Sequence, residues 1–525
     1  MIVLVTDPID DVGLERLREA GHEVRTGFDL EGEELLAAVA DVHALVVRSG
    51  TEVTQEVIAA APELVIIGRA GIGTDNIDRE AATEHGVIVA NAPEGNVRAA
   101  AEHTVAMTMA AARSIPQAHG RLKGGEWAKG EYVGMEINGK TLGIVGFGRV
   151  GQEVGRRLGD LGMDLVTYDP YISRERAAQI GAELVSLEEC LARANVLTIH
   201  TPLTPETEGL IGAEELEQFG NGLVVNCARG GVLDEDALVD AIDAGTVRGA
   251  ALDVFAEEPL PKDSRLLETE DVIVTPHLGA STEAAQENVA LSIADQIEAA
   301  FAGEPVINAI NAPSIDERAF PRLRPFIELA RVAGRITTQL LDERMERVEV
   351  EYFGDIAEED VDLVTASALT GVFEPLEWEV NTVNAPRLAD DRGIDVVESK
   401  SRQAADFTDL IRVTIGNGGE ELAVEGTLFA DKDPRIVRID GYRVDAIPHG
   451  HMLVARNEDR PGVIGFIGTA LGERGINIAG MFNARESIGG EALTVYNLDE
   501  PVPDEVIAAL TEDARIIDAR YITLN

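Results

Sequence analysis

Residues 142–151 read Leu142-Gly143-Ile144-Val145-Gly146-Phe147-Gly148-Arg149-Val150-Gly151. An apolar β-rich run breaks into three glycines spaced G-x-G-x-x-G and then into a helical period. Gly146 suits a tight turn, Gly148 lets a pyrophosphate approach the backbone, and Gly151 lets helix and strand pack closely. Unpaired N–H groups at the helix start then face the phosphates. Taken alone such a turn is a weak signal, since glycine serves many turns. The context strengthens it. Leu165-Val166-Thr167-Tyr168 reads as a second strand and ends at Asp169, 18 residues beyond Gly151. A carboxylate there accepts ribose hydroxyls and repels a 2′-phosphate, which predicts NAD over NADP. Arg174, close by, leaves NADP open.

Outward from this turn the chain alternates strands and helices. Upstream, Ile2-Val3-Leu4-Val5, Ala44-Leu45-Val46-Val47 and Leu64-Val65-Ile66-Ile67 read as buried parallel strands, with helical periods between them such as Leu14 to Glu19. An Ala-rich helix is expected from Val97 to Arg113 and a returning helix from Thr282 to Ala302, with a Pro- and Asn-rich boundary at 304–316. From about 317 to 450 a third α/β region carries no motif with assignable chemistry. The last segment reads as strand, helix, strand, strand, helix, strand, with strands near 452–455, 476–484, 492–497 and 516–523 and helices near 462–474 and 504–511. This order is the ferredoxin-like βαββαβ pattern.

Composition bounds the function. The 525 residues hold 44 Lys+Arg against 94 Asp+Glu, a formal net charge of −50. Long-range repulsion opposes nucleic acid and anionic membrane surfaces as partners. No run of about 18 uncharged apolar residues predicts a spanning helix. The N-terminal run lacks a basic leader and reads as a strand, so a cytoplasmic location is expected. Two cysteines, Cys190 and Cys227, fit a reducing compartment. No metal site is expected. Lysine is confined to Lys123, Lys129, Lys140, Lys262, Lys400 and Lys432, and acidic side chains cover every helical stretch. Such a surface repels itself in dilute buffer and is screened at molar salt, so we expect a halophilic source.

Three further runs each end near a charged residue: Val224-Val225-Asn226-Cys227-Ala228-Arg229, Ala251-Leu252-Asp253-Val254-Phe255-Ala256-Glu257-Glu258-Pro259 and Val272-Ile273-Val274-Thr275-Pro276-His277. Their charges fall at the carboxyl edge of a parallel sheet, where ligands of open α/β folds bind. Each has a bland reading as a surface ion pair, a solvated loop acid or a turn histidine. Together, beside a nucleotide loop, they point to a catalytic site.

These segments, with Arg69-Ala70-Gly71-Ile72-Gly73-Thr74-Asp75-Asn76 and Thr275 to Thr282, resemble the D-2-hydroxyacid dehydrogenase family, densely over residues 1 to about 310 and in domain order throughout. The resemblance implies two doubly wound parallel-sheet lobes, a flavodoxin-like substrate lobe (1–96 and 284–312) and a Rossmann NAD lobe (97–283). An α/β intervening domain (313–450) and a ferredoxin-like ACT domain (451–525) follow. It implies that Arg229, Glu258 and His277 are catalytic. His277 would move the hydroxyl proton, Glu258 would orient and charge-stabilise the imidazole, and Arg229 would offer a planar fork to a carboxylate. NAD contacts are implied at Ile72, Gly146, Gly148, Arg149, Val150, Gly151, Asp169, Thr201, Ala228, Asp253, Gly279 and Ala280.

A phosphorylated substrate needs further cations in an acidic protein. Arg48 and Arg69 each follow a β-rich run of the first lobe and are expected in the same cleft; the resemblance adds Ala70, Gly71 and Asn96. The implied reaction is NAD-dependent oxidation of D-3-phosphoglycerate to 3-phosphohydroxypyruvate at the entry to serine synthesis. Asn457-Glu458-Asp459-Arg460-Pro461-Gly462 and Gly475-Ile476-Asn477 resemble the ligand loops of an ACT domain, which implies Asp459 and Asn477 as contacts for a serine effector. The alternative is a dimerisation module without effector. A homo-oligomer, tetramer or dimer, is implied as well. Two other readings stay open: reduction of hydroxypyruvate, glyoxylate or another 2-keto acid, and an NAD-sensing co-regulator that keeps the fold for partner binding.

Overall fold

The computed structural model describes residues 1–313, 315, 319–341, 344–376, 379–403, 406–417, 421–430, 432–485 and 487–524. Two positions of the boundary stretch at 304–316, residues 314 and 316, lie outside the described residues. Four sheets follow one another along the chain. The first has β1 (Ile2–Val5), β2 (Glu23–Thr26), β3 (Ala44–Val47), β4 (Ile66–Arg69) and β5 (Ile88–Asn91), all parallel in the order β2-β1-β3-β4-β5. This is the doubly wound order of flavodoxin-like folds. Every residue of β3 is buried, which is why its sequence is a continuous apolar run. β4 begins two residues later than the 64–67 run suggests. Ile66 pairs with Ala44 and Arg69 with Val47, so the strand delivers Arg69 to the carboxyl edge.

The second sheet has β6 (Thr141–Val145), β7 (Asp164–Tyr168), β8 (Ala182–Leu184), β9 (Val196–Ile199), β10 (Leu223–Asn226), β11 (Gly249–Leu252) and β12 (Val272–Val274). Its order is β12-β11-β10-β9-β6-β7-β8, parallel throughout. The winding reverses between β6 and β9, and a crevice opens outside the strand ends at such a switch point.

Two long helices join the lobes. One runs from Pro93 to Ala112, starting earlier than the composition suggests because Pro93 suits the first helical turn. The other runs from Glu283 to Phe301, capped by the Thr282 side chain, which accepts from the Ala285 N–H. It returns to the first lobe, where Val289, Ile293 and Ile297 enter the core with Leu14, Leu17 and Val46.

The third sheet has β13 (Arg347–Gly354), β14 (Asp395–Ser401), β15 (Asp409–Gly416), β16 (Glu421–Phe429), β17 (Asp433–Ile439) and β18 (Tyr442–Ala446), in the order β14-β13-β15-β16-β17-β18. β13 and β14 run parallel and the other pairs antiparallel. Val348, Val350 and Tyr352 of β13 are buried while Glu349 and Glu351 lie on the other face, the period-two pattern of a sheet covered on one side. The helices Phe320–Leu340 and Asp362–Phe373 supply the cover. The fourth sheet, β19 (His451–Glu458), β20 (Ile478–Arg485), β21 (Glu491–Leu498) and β22 (Ile516–Thr523), is antiparallel in the order β20-β21-β19-β22. Its helices are Val463–Gly472 and Asp504–Thr511, which gives the βαββαβ order read in the sequence. Met452, Val454, Leu493, Val495 and Ile522 share one core with the third sheet.

The two covering helices approach so closely that a Cβ on Gly334 would lie 2.3 Å from the Ala368 carbonyl oxygen, and one on Gly371 would lie 1.8 Å from that of Arg331. Neither backbone oxygen can swing away. Gly371→Ala is therefore expected to destabilise this region by about 1–3 kcal/mol. The check is the midpoint of urea unfolding followed by circular dichroism; an unchanged midpoint contradicts the packing account.

Candidate active site

The glycine turn has the geometry a dinucleotide requires. Gly146 sits at φ +88°, and a Cβ on it would fall 2.7 Å from the His200 carbonyl, so both backbone angle and space exclude a side chain. A Cβ on Gly151 would lie 2.3 Å from the Gly146 oxygen, which is the close strand–helix contact, whereas Gly148 faces open space. The helix Arg149–Asp160 starts directly after Gly148, and Val150 packs against the core behind it. Asp169 follows β7, and its carboxylate accepts from the Phe147 N–H at 2.7 Å and the Tyr171 N–H at 2.8 Å. It thus ties the glycine turn to the second strand while lining an open cleft of about 800 Å³ with Tyr168 and Arg174. The Thr201 hydroxyl is buried beside the turn with no partner among the described residues. An unpaired donor here, the open side of Gly148 and the helix start all fit a bound pyrophosphate.

The three charged residues emerge beyond the carboxyl ends of β10, β11 and β12, adjacent strands of the second sheet. His277 Nδ1 lies 2.7 Å from Glu258 Oε2. The other Glu258 oxygen accepts from the Phe255 N–H at 3.1 Å. Burial would raise the Glu258 carboxyl, but the hydrogen bond and charge of His277 and the Phe255 N–H together hold it below its ordinary value. With Nδ1 engaged, Nε2 is the ring nitrogen left for a proton transfer. Glu235 steadies the same loop from the helix Glu235–Asp243 by accepting from the Ala256 N–H at 2.6 Å, and burial raises its carboxyl above the usual range.

Asp253 has a role the sequence did not suggest. Its side chain is fully buried. One carboxylate oxygen accepts from the Leu278 N–H at 2.8 Å and from the Thr275 hydroxyl, with His103 Nε2 at 3.1 Å; the other accepts from the Gly279 N–H at 2.8 Å. Burial pushes this carboxyl up, but the bonds from His103, Thr275 and Leu278 hold it below its normal range. The His277 N–H also donates to the Asp253 carbonyl at 2.9 Å. His277 itself sits at φ +53°, a conformation few side chains adopt, and Asp253 holds the turn there. His103 reaches in from the joining helix, and nothing in its local sequence distinguishes it from a core histidine.

Cations gather at the cleft between the lobes. Arg48, Ala70, Asn96 and Ala280 line one cavity of about 440 Å³, together with Asp10 and Gln286. Arg69 is pushed down to about 10 by burial and by the charges of Arg229 and Arg48, which places the three guanidiniums within electrostatic reach of one another. Its Nε is buried without a partner among the described residues. A Cβ on Gly71 would collide with the Arg69 guanidinium, and one on Gly73 would lie 1.9 Å from Arg229 Nη2. The Asn91 side chain donates to the Ile72 carbonyl. Ala228 presents its carbonyl to Arg229 Nη1 at 2.6 Å. In the fourth sheet the structure does not join Asp459 and Asn477 to each other. Asp459 pairs with Arg485 at 2.8 Å and accepts from the Gly489 N–H, while Asn477 donates to Asp499 at 2.6 Å.

Residues 105–279 match the NAD binding domain of D-isomer specific 2-hydroxyacid dehydrogenases, 322–440 the D-3-phosphoglycerate dehydrogenase intervening domain, and 451–515 the ACT domain. D-3-phosphoglycerate dehydrogenase from Archaeoglobus fulgidus is 44% identical over 528 residues, spanning 100% of both chains, and that of Methanocaldococcus jannaschii is 45% identical over 526 residues, spanning 99% of each. The chain belongs to the D-3-phosphoglycerate dehydrogenase family. Among solved structures, a Thermus thermophilus protein is similar at 34% identity and TM-score 0.56, covering 59% of this chain and 100% of its own. An NAD complex of formate dehydrogenase from Staphylococcus aureus is similar at 30% identity and TM-score 0.53, covering 58% and 97%. The match to the NAD binding domain of D-isomer specific 2-hydroxyacid dehydrogenases ends at Gly279, inside the turn that Asp253 clamps.

His200, immediately before Thr201, is pushed down to about 4 by burial, with Nε2 2.9 Å from the Thr198 hydroxyl. The unfolded chain takes up this proton near pH 6.5 and the folded chain near 4. Stability contributed by the neutral ring is therefore complete above pH 6.5 and lost as the pH falls to 4, up to roughly 3 kcal/mol. His200→Gln is expected to flatten part of the fall in thermal midpoint over this window; an unaltered pH slope contradicts the assignment.

Proposed function

We propose that this protein is an NAD-dependent dehydrogenase that oxidises D-3-phosphoglycerate to 3-phosphohydroxypyruvate, the first step of L-serine biosynthesis. The observation that carries the reading is the His277–Glu258 pair at the carboxyl edge of the sheet that also carries the glycine turn and Arg229, with Arg69 within charge reach of Arg229 and Arg48. NAD, when bound, supplies a nicotinamide ring that accepts a hydride. Residues of the turn, Asp169 and the Thr201 hydroxyl would hold it. Arg229 takes the substrate carboxylate on its planar fork and polarises the reacting oxygen. His277 Nε2 removes the hydroxyl proton as the hydride departs, and the Glu258 carboxylate stabilises the imidazolium that results. Arg48 and Arg69 take the phosphate, with Asn96 and the loop Ala70-Gly71-Ile72 shaping the wall. A phosphate dianion is the natural partner for a partly buried guanidinium held down by its neighbours.

The test is a steady-state assay with phosphorylated and unphosphorylated 2-hydroxy acids, read as NADH formation. Turnover is expected with D-3-phosphoglycerate. NADH from unphosphorylated acids alone identifies another dehydrogenase of the family, and NADH from none identifies a co-regulator. His277→Asn is expected to lower kcat by about 10²–10⁴-fold with NAD affinity intact; retained turnover removes the proton role.

We further infer a homo-oligomer, dimer or tetramer, in which the ACT units take a small amino acid such as serine, with Asp459 and Asn477 as contacts; a symmetric assembly suits a shared effector site. Among the described residues no helix is long and apolar enough to cross a membrane. Two free, buried cysteines support a reducing cytoplasm, and the charge of −50 supports a salt-rich, halophilic one. Activity and assembly are expected to fall in dilute buffer and return at molar salt, measured by turnover and light scattering. Full activity in dilute buffer contradicts the salt requirement.

A further inference from the structure

Arg229 and Asp75 form an ion pair across the two lobes. Asp75 lies in the loop after β4, in the first sheet, and Arg229 lies beyond β10, in the second. Arg229 Nε donates to Asp75 Oδ2 at 3.2 Å, while Nη1 donates to the Ala228 carbonyl at 2.6 Å. The pair rests on the backbone of Gly73, where a Cβ would stand 1.9 Å from Nη2 and 2.8 Å from Asp75 Oδ2. The guanidinium is thus held along the edge that carries Nε. What remains is its end: both hydrogens of Nη2 and the second hydrogen of Nη1. A guanidinium has five N–H donors in one plane, and fixing two of them on protein acceptors decides how a carboxylate can meet the rest.

We propose that Asp75 is a positioning residue for Arg229: it holds Nε across the cleft so that the Nη1/Nη2 end of the fork is presented to the substrate carboxylate. A long arginine side chain otherwise has several rotamers to lose when it binds, and Asp75 removes that loss before substrate arrives. The same carboxylate supplies negative charge inside a cluster of three arginines, where Asp75 and Asp7 act on Arg69 against its like-charged neighbours. Asp75 is exposed, with 62% of its side chain open to solvent, so its replacement spares the core.

The inference rests on the reading of Arg229 as the carboxylate-binding group, and the experiment separates the two. Steady-state kinetics are measured for wild type, Asp75→Ala, Asp75→Asn and Arg229→Ala, using the 2-hydroxy acid that wild type oxidises. Inorganic phosphate serves as competitive inhibitor and NADH binding is followed by fluorescence. Asp75→Ala is expected to raise KM for the hydroxy acid about tenfold, the value of one hydrogen bond to a charged group. Inhibition by phosphate does not weaken and the NADH affinity stays unchanged, and Asp75→Asn, which keeps an acceptor oxygen for Nε, recovers most of the loss. An unchanged or lowered KM in Asp75→Ala, no recovery in Asp75→Asn, or a parallel loss of phosphate and NADH binding overturns the proposal. If Arg229→Ala also leaves KM unmoved, the reading of Arg229 falls with it.

Discussion

The buried carboxylate of Asp253 is the interaction on which the site depends. It sits at the end of β11 and holds the turn after β12 through the Leu278 and Gly279 N–H groups and the Thr275 hydroxyl. A charge taken out of water is tolerated only when its hydrogen bonds are made, and here protein groups make them. Glu258 lies five residues further along the same loop and His277 opens the clamped turn, so one anchoring segment sets both members of the pair. The 2.7 Å contact between them is a consequence of that anchoring, since His277 would not otherwise hold a left-handed backbone angle.

The second constraint is topological. Parallel strands connected by crossovers place all their carboxyl ends on one edge. β10, β11 and β12 are neighbours there, and each contributes one of the three groups. The first sheet faces the same cleft with the ends of β3 and β4, which carry Arg48 and Arg69. Chemistry and substrate charge therefore come from different lobes. The Arg229–Asp75 pair is one place where the two lobes meet through charged atoms.

Much of this was legible in the sequence because the signals are local. A glycine turn between a strand and a helix, an acid at the end of the next strand, and charged residues closing three apolar runs are each read within a dozen residues. The Ala-rich helix, read from Val97 and found from Pro93, and the ferredoxin-like order near the C-terminus were legible for the same reason. What escaped depends on distant pairings. The 64–67 run was offset from the strand because register with β3, and not composition, sets where β4 starts. The carboxylate of Asp253 turns inward to His103, 150 residues earlier, a pairing no local pattern shows. The partner of Arg229, Asp75, lies in another lobe. The mixed third sheet pairs β13 with both β14 and β15, which no local pattern announces. Asp459 and Asn477 bind to other side chains of the chain, which spacing alone could not reveal.

The most direct measurement is a crystal structure with NAD and D-3-phosphoglycerate bound. The account predicts the substrate C2 hydroxyl within hydrogen-bond reach of His277 Nε2, about 2.6–3.2 Å, with the carboxylate on Arg229 and the phosphate between Arg48 and Arg69. A substrate lying with its hydroxyl turned away from His277, or with its carboxylate on another cation, contradicts it.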